Sequence, residues 1–155
     1  EFIRVDLADA LGECVYRLKG LAYRDNKRIT LETVPGITVM ADENLLARAI
    51  SNIVSNGVRH ASSEVTVKLE CEGGNALITV ADDGKGLDQQ DLDRIFERFY
   101  KGKGGKFGLG LAIAKIIILG HNGKIKVKSK PGEGSEFKIL FPAGENQTLH
   151  CLSEF

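Results

Sequence analysis

The sequence predicts an α+β fold, a two-layer sandwich in which helices cover one face of a mixed, mostly antiparallel sheet. Two long segments repeat apolar residues at helical spacing, whereas several shorter segments alternate apolar and polar residues as half-buried strands do. Short glycine-containing connections join consecutive strand-like segments, which favours hairpins. With 155 residues, the chain is long enough for one domain with its own core.

The first part of the chain is predicted to hold a strand, a helix, two strands and a second helix. These segments span, in order, 2–5, 7–25, 27–33, 37–40 and 42–60. Asp6 stands at an N-cap position, directly before the first apolar residue of the helical repeat. Asn26 marks a turn signal, and Pro35-Gly36 separates the two strands.

The second part is predicted to begin with a strand pair and to end with another. The segments are strands 64–71 and 76–82, a short helix near 89–98, a helix 108–119, and strands 123–129 and 135–141. The helix 108–119 is almost wholly apolar, which predicts burial on more than one side. We expect one domain over 1–142 and a flexible tail over 143–155, which has no pattern.

Composition excludes several classes of function. The 21 basic and 21 acidic residues give a net charge of zero, so we expect no nucleic-acid partner and no direct contact with a membrane. No apolar run approaches the roughly 20 residues that span a bilayer, and no secretory signal is visible. The three cysteines show neither a CxxC motif nor metal-ligand spacing. A reduced, cytoplasmic domain is expected, and anchoring of its parent protein in the cell membrane is compatible with this expectation.

Two asparagines share one face of the second predicted helix. Steps of four, seven and eight residues keep Asn52, Asn56, Arg59 and His60 on one side. The apolar residues expected to face the sheet are Leu46, Ile50, Ile53 and Gly57. Asparagine weakens a helix, and its amide oxygen is a hard ligand suited to Mg²⁺. On this helix alone, a solvated polar face and a metal site both stay open.

An acidic, glycine-containing loop follows the predicted strand 76–82. Asp82 stands at the strand end, where a carboxylate can accept a hydrogen bond from a planar base. Gly84 and Gly86 leave bare backbone against which such a base can lie. A surface turn is the alternative. An EF-hand is excluded, because Leu87 occupies the position that requires glycine.

A glycine-rich segment, 102–110, runs into the apolar helix. Free N–H groups at a helix N-terminus favour phosphate. No GxxxxGK[ST] motif is present anywhere in the chain, and Gly108-Leu109-Gly110 lacks the third glycine and the preceding strand of a dinucleotide fingerprint.

In this order and spacing, the motifs resemble the ATP-binding domain of sensor histidine kinases, in the superfamily of gyrase, heat-shock chaperone and mismatch-repair ATPases. The resemblance covers about residues 2–142 and implies a Bergerat-type ATP-binding fold. The matching segments are 52–60 (N box), 82–86 (first glycine box), 96–101 (F box) and 108–112 (second glycine box).

The resemblance also implies roles for individual residues and two ligands, ATP and Mg²⁺. Asn56 matches the Mg²⁺-binding asparagine, with Asn52 as a second candidate ligand, directly or through water. Asp82 matches the residue that accepts the adenine amino hydrogen. The other implied contacts are to phosphates (Arg59, Lys101), to the nucleotide (His60), to the base (Gly84, Gly86) and to the phosphates through backbone (Gly108, Leu109, Gly110). Phe96 and Phe99 are expected to pack at the base of the lid, the family's name for the segment between the F box and the second glycine box.

The chain departs from the family pattern at Lys106, which replaces the first glycine of Gly-x-Gly-Leu-Gly and is a candidate for a further phosphate contact. ATPases of the superfamily place a glutamate base where this chain has Asn52, and a neutral amide cannot take a proton from water. We therefore expect a protein-histidine kinase rather than a hydrolase.

The expected acceptor is a histidine on a separate dimerisation and phosphoacceptor hairpin, with a response regulator as an indirect partner. None of His60, His121 and His150 lies in the family's acceptor context. A regulatory nucleotide-binding module and an ATPase of the same superfamily remain the alternatives.

Overall fold

A computed structural model describes residues 1–100 and 109–142. The strands are β1 (Ile3–Asp6), β2 (Arg28–Glu32), β3 (Thr38–Ala41), β4 (Glu64–Glu72), β5 (Asn75–Asp82), β6 (Lys124–Ser129) and β7 (Ser135–Phe141). The helices are α1 (Leu7–Arg24), α2 (Glu43–His60), α3 (Gln89–Leu92) and α4 (Leu109–Gly120). The predicted tail 143–155 lies outside the described residues, as do Lys101, Lys106 and Gly108.

The main sheet has five strands in the order β2-β4-β5-β7-β6. The β2–β4 pair is parallel and the other three pairs are antiparallel, so the predicted mixed, mostly antiparallel sheet is confirmed. β1 and β3 form a separate two-stranded antiparallel sheet, which the sequence patterns did not distinguish from the main one. Helix α2 lies between α1 and α4 and contacts β4 and β5. The site residues on α2 are thereby placed above the centre of the main sheet.

Both long helices begin where the sequence predicts. The Asp6 carboxylate accepts a hydrogen bond from the Asp9 backbone N–H over 3.0 Å, and Asp42 accepts one from Leu45 over 3.1 Å. Each N-cap satisfies one of the backbone N–H groups that the first turn of a helix leaves without a partner.

The short helix predicted over 89–98 is wrong in its length, because only Gln89–Leu92 is helical. The Tyr100 hydroxyl donates to the carboxylate of Asp91, which brings the chain back over this short helix. A helix continued from residue 91 to residue 100 would separate their Cα atoms by about 13 Å along its axis, so the two side chains could not meet.

Helix α4 is less enclosed than its composition predicts. Leu111, Ala114 and Ile118 are buried, but Ile116 and Leu119 are 55% and 53% exposed. Among the described elements, α4 contacts chiefly α2 and β6, which cover only one side of it. The expectation of burial on more than one side is therefore wrong for part of the helix.

Cys14 on α1 is a free, buried thiol.

Candidate nucleotide-binding site

The apolar stripe of α2 fixes which way its polar residues face. Leu46, Ile50 and Ile53 are at most 2% exposed, as predicted for residues that face the sheet. A Cβ added to Gly57 would lie 3.4 Å from a Val65 methyl group, so the helix passes close to the sheet at this residue. The asparagine face consequently lies at the side of α2, next to the stripe that packs on the sheet.

Asn56 carries a buried oxygen that has no protein partner among the described residues. The side chain is 2% exposed, and its Oδ1 makes no hydrogen bond to any described group. Burying an amide oxygen without a partner costs roughly 1–3 kcal/mol, so such an atom marks a place where something else binds. A solvated polar face is thus the wrong interpretation for Asn56, although Arg59 beside it is exposed.

Asn52 joins α2 to the beginning of α4. Its Nδ2 donates to the backbone carbonyl of Gly110 over 3.0 Å. Because a carbonyl only accepts, the amide nitrogen must face Gly110, and Oδ1 is the atom left for another ligand. The bond brings the N box and the second glycine box together, as the resemblance requires. The side chain of Leu109, the first residue of α4, is 42% exposed.

Asp82 is a buried carboxylate at the end of β5. It is 8% exposed, and its Oδ1 accepts a hydrogen bond from the Gly84 backbone N–H over 2.9 Å. Burial raises the pKa of Asp82, and the backbone N–H groups of Gly84 and Ser135 oppose that rise. The group is therefore an acceptor held in a low-dielectric place, where a donor on a ligand base gains most.

The neighbouring Asp83 has a structural role that the sequence did not indicate. Its carboxylate accepts hydrogen bonds from the backbone N–H groups of Ser62, Ser63 and Glu64 at 2.9 to 3.1 Å, and from the Ser63 hydroxyl at 2.6 Å. Desolvation alone would raise the pKa of Asp83, but these hydrogen bonds hold it well below its usual range. Asp83 fixes the loop between α2 and β4 to the strand end that carries Asp82.

The glycines of the first glycine box are required by close backbone packing. A Cβ on Gly84 would overlap the His60 carbonyl oxygen, which leaves no space for any other residue. Gly86 has a φ of +72°, and a Cβ there would overlap the carbonyl of Lys130. The half-buried His60 at the end of α2 and the loop after Asp82 are thus in direct contact.

Residues of the β6–β7 turn support this loop, and sequence reasoning missed them. Ser129 Oγ accepts from the Leu87 backbone N–H over 2.7 Å and donates to the Gly134 carbonyl over 2.8 Å. Gly134 has a φ of +77°, and a Cβ there would overlap the Asp82 carbonyl. The Pro-Gly-Glu-Gly sequence between β6 and β7 predicts a hairpin turn. It does not predict that this hairpin contacts the loop after Asp82.

The two phenylalanines of the F box differ in their surroundings. Phe96 packs edge-to-face on Phe137, with ring centroids 6.3 Å apart. Phe99 is 71% exposed and has a φ of +63°, so the expectation that it packs at the base of the lid is wrong.

A family model described as histidine kinase-, DNA gyrase B- and HSP90-like ATPase matches residues 41–145. The chain belongs to this family. The match spans the asparagine helix, the Asp82 loop and the helix that begins at Leu109. The predicted fold and histidine-kinase resemblance are confirmed.

Curated relatives place the chain among sensor-kinase ATPase domains. The sensor-like histidine kinase SenX3 of Mycolicibacterium smegmatis is 38% identical over 94% of this chain. Sporulation kinase C of Bacillus subtilis is 35% identical over 69%. The chain spans 40% and 26% of the lengths of these two proteins.

Solved structures agree with this assignment. The mycobacterial sensor histidine kinase MprB has a TM-score of 0.80 and 27% identity, over 92% of this chain and 98% of that one. Full-length ShkA in complex with AMPPNP has a TM-score of 0.83 and 26% identity, over 93% of this chain and 31% of that one.

No helix within residues 1–100 and 109–142 has the length and apolar character needed to cross a membrane.

Proposed function

We propose that the domain over residues 1–142 binds Mg-ATP and transfers its γ-phosphoryl group to a histidine on a separate dimerisation and phosphoacceptor hairpin. The observation that carries the proposal is the orphaned Oδ1 of Asn56, which is buried on the helix whose last turn touches the Asp82 loop. A hard oxygen ligand and a buried base acceptor on adjacent elements fit the two ends of a nucleotide. The AMPPNP in the ShkA structure supports this choice of ligand.

Asp82 would accept a hydrogen bond from the adenine amino group. The backbone of Gly84 and Gly86 follows Asp82 and would lie beside the base, and His60 contacts the same loop. A charge-assisted hydrogen bond in a buried place contributes about 1.5–3 kcal/mol, which is enough to distinguish an amino-purine from one without the amino group.

The residues present fit a magnesium ion. Among the described residues no cluster of three histidine, cysteine or acidic side chains could hold a metal, so the ion would depend on Asn56, with Asn52 as a second ligand, and on waters and phosphates. When bound, Mg²⁺ would supply charge neutralisation to the phosphates. Arg59 projects from the same helix face and would add positive charge to the transferring group, together with Lys101.

The rest of the phosphate site would come from Lys106 and Gly108 with Leu109 and Gly110. Asn52 supports this arrangement, because its bond to the Gly110 carbonyl holds the first turn of α4 against α2. A helix N-terminus held in that place offers backbone N–H groups to phosphate oxygens.

Transfer to an external histidine is favoured over hydrolysis because Asn52 cannot act as a general base. Its amide nitrogen donates to Gly110, and an amide has no basic pair with which to deprotonate water. The hairpin partner, the response regulator downstream and a cytoplasmic location for the domain belong to this proposal.

The test is a transfer assay with labelled ATP. The chain alone should bind Mg-ATP, acquire no label and release phosphate only slowly. A separate fragment carrying the parent kinase's hairpin should acquire acid-labile label, slowly, because the tether's effective concentration is absent. Stable label on this chain, or rapid phosphate release without the hairpin, would contradict the proposal. Binding without any transfer would favour the regulatory-module alternative.

A further inference from the structure

We propose that Lys27 is a positioning residue for Asp82, whose ammonium group offsets the carbonyl end of α2 and so sets how strongly the site binds the amino group of adenine. This inference rests on the proposed nucleotide site. Lys27 belongs to none of the sequence motifs and lies in the connection between α1 and β2.

Lys27 closes the last turn of α2. Its Nζ donates to the Val58 carbonyl over 2.7 Å and to the Arg59 carbonyl over 3.2 Å. The last four carbonyls of a helix lack partners within the helix, and together they carry a partial negative charge of about half an electron. A half-buried ammonium group that contacts two of them both satisfies and neutralises this end.

The next carbonyl of α2, that of His60, lies close to Asp82. The position of a Cβ on Gly84 would overlap the His60 carbonyl oxygen and would also lie 2.9 Å from Asp82 Oδ1. The negative end of α2 and the buried carboxylate therefore face each other across a single glycine. Without a nearby cation, this arrangement disfavours the ionised form of Asp82.

Asp83 and Lys27 have opposite effects on the charge of Asp82. Asp83 adds a like charge, and its carboxylate is already engaged by the backbone of residues 62–64. The direction of each effect agrees, since Asp83 raises the pKa of Asp82 and Lys27 lowers it. Other titratable or charged groups on the adjoining elements include Arg59 and His60 on α2, Glu64 on β4, Lys85 and Asp93 after β5, and Lys128, Lys130, Glu133 and Glu136 on the β6–β7 hairpin.

The consequence for binding is specific to one ligand group. An ionised Asp82 forms a charge-assisted hydrogen bond with the adenine amino group, whereas the sugar and phosphates do not depend on this carboxylate. Removing the charge of Lys27 should therefore weaken ADP more than the diphosphate of purine riboside, which lacks the amino group.

The experiment is calorimetric titration of both diphosphates, without metal, into the full chain and its variants. Lys27→Gln retains a donor for the Val58 carbonyl but has no charge, and Lys27→Met has neither. The titrations are repeated from about pH 8 to pH 4, because the preference for ADP is lost where Asp82 takes up a proton. Both variants should lose that preference at a higher pH than wild type, with affinity for the purine riboside diphosphate within about twofold of wild type at each pH. Lys27→Arg should restore the preference. Lys19→Met, at an exposed position of α1, is the matched control and should change neither ligand.

Several results would overturn the inference. An equal loss for both ligands would show a merely structural role, and full preference in Lys27→Gln down to the same pH as in wild type would show that the charge is irrelevant. If Lys27→Met fails to fold, the difference in ADP preference between Lys27→Gln and Lys27→Arg is sufficient to test the inference. The wild-type titration separates this inference from the proposed function, because a chain that binds neither diphosphate refutes the nucleotide site itself.

Discussion

The backbone N–H of Asp42 donates to Nε2 of His121 over 3.1 Å, which joins the N-cap of α2 to the turn after α4. Nδ1 of the same ring lies 2.7 Å from the Ile117 carbonyl, so the ring is neutral with its proton on Nδ1. The Phe2 ring stacks on His121 with centroids 4.6 Å apart. The two helices that carry Asn56 and Gly110 are therefore tied at this end as well as at Asn52.

Replacing His121 should loosen that connection. We expect His121→Leu to lower the free energy of unfolding by about 1–3 kcal/mol, because the Asp42 N–H loses its acceptor and the buried ring is replaced. Urea denaturation measures the change. His121→Gln, which keeps an acceptor, should lose less, and equal losses in the two variants would assign the effect to packing alone.

Asp82→Asn should separate binding from stability. Loss of the charge-assisted bond to the adenine amino group should weaken ADP about 10- to 150-fold in calorimetric titration. Burial raises the pKa of Asp82 in the folded chain, so its ionised form at neutral pH opposes folding. The melting temperature of Asp82→Asn should thus equal or exceed that of wild type. A variant with unchanged ADP affinity would remove Asp82 from the base site.

Asn56→Ala should abolish the magnesium-dependent part of nucleotide affinity. The orphaned Oδ1 is proposed to contact the ion and not the base, so metal-free ADP binding should stay within about threefold of wild type. Titrations with Mg²⁺ and with a chelator measure the two parts. Ser55→Ala, one residue away on α2, is the control. Our separation of roles is wrong if metal-free binding falls as far as it does in Asp82→Asn.

Asp83→Asn should destabilise the chain in a pH-dependent manner. The folded pKa of Asp83 is depressed, so its contribution is present above the unfolded pKa of about 3.9 and is lost as pH falls below it. We expect a loss of about 1–2 kcal/mol at pH 7, allowing for solvent exposure, and a clearly smaller difference from wild type at about pH 2.5, between the unfolded pKa and the depressed folded pKa. Urea denaturation at both values provides the test, and a difference independent of pH would contradict it.

Local patterns were sufficient to predict the capped helices and the place of Asp82. Asp42 and the apolar stripe of α2 are encoded within a few residues of one another, and the alternation in 76–82 predicts the strand that ends at Asp82. These features depend on spacing along one element, which a sequence displays directly.

The supports of the site could not be predicted in this way. Ser129 meets Leu87 because β7 lies between β5 and β6, and that order is a property of the whole sheet. Lys27 is one lysine among many, and nothing near it in the sequence indicates the carbonyls of α2. The left-handed backbone of Phe99 follows no propensity, since bulky residues rarely adopt a positive φ.

The packing of Gly134 on the Asp82 carbonyl also bears on when, during synthesis, the protein can first bind its ligand. Asp82 is translated well before Ser135, yet the backbone of the later hairpin completes its surroundings. A nascent chain that ends before β7 has the asparagine helix and the carboxylate but lacks the strand that pairs with β5 beside Asp82. Nucleotide bound at the proposed site would therefore stabilise the finished sheet, and its binding energy would act on the last step of folding and not on an earlier one.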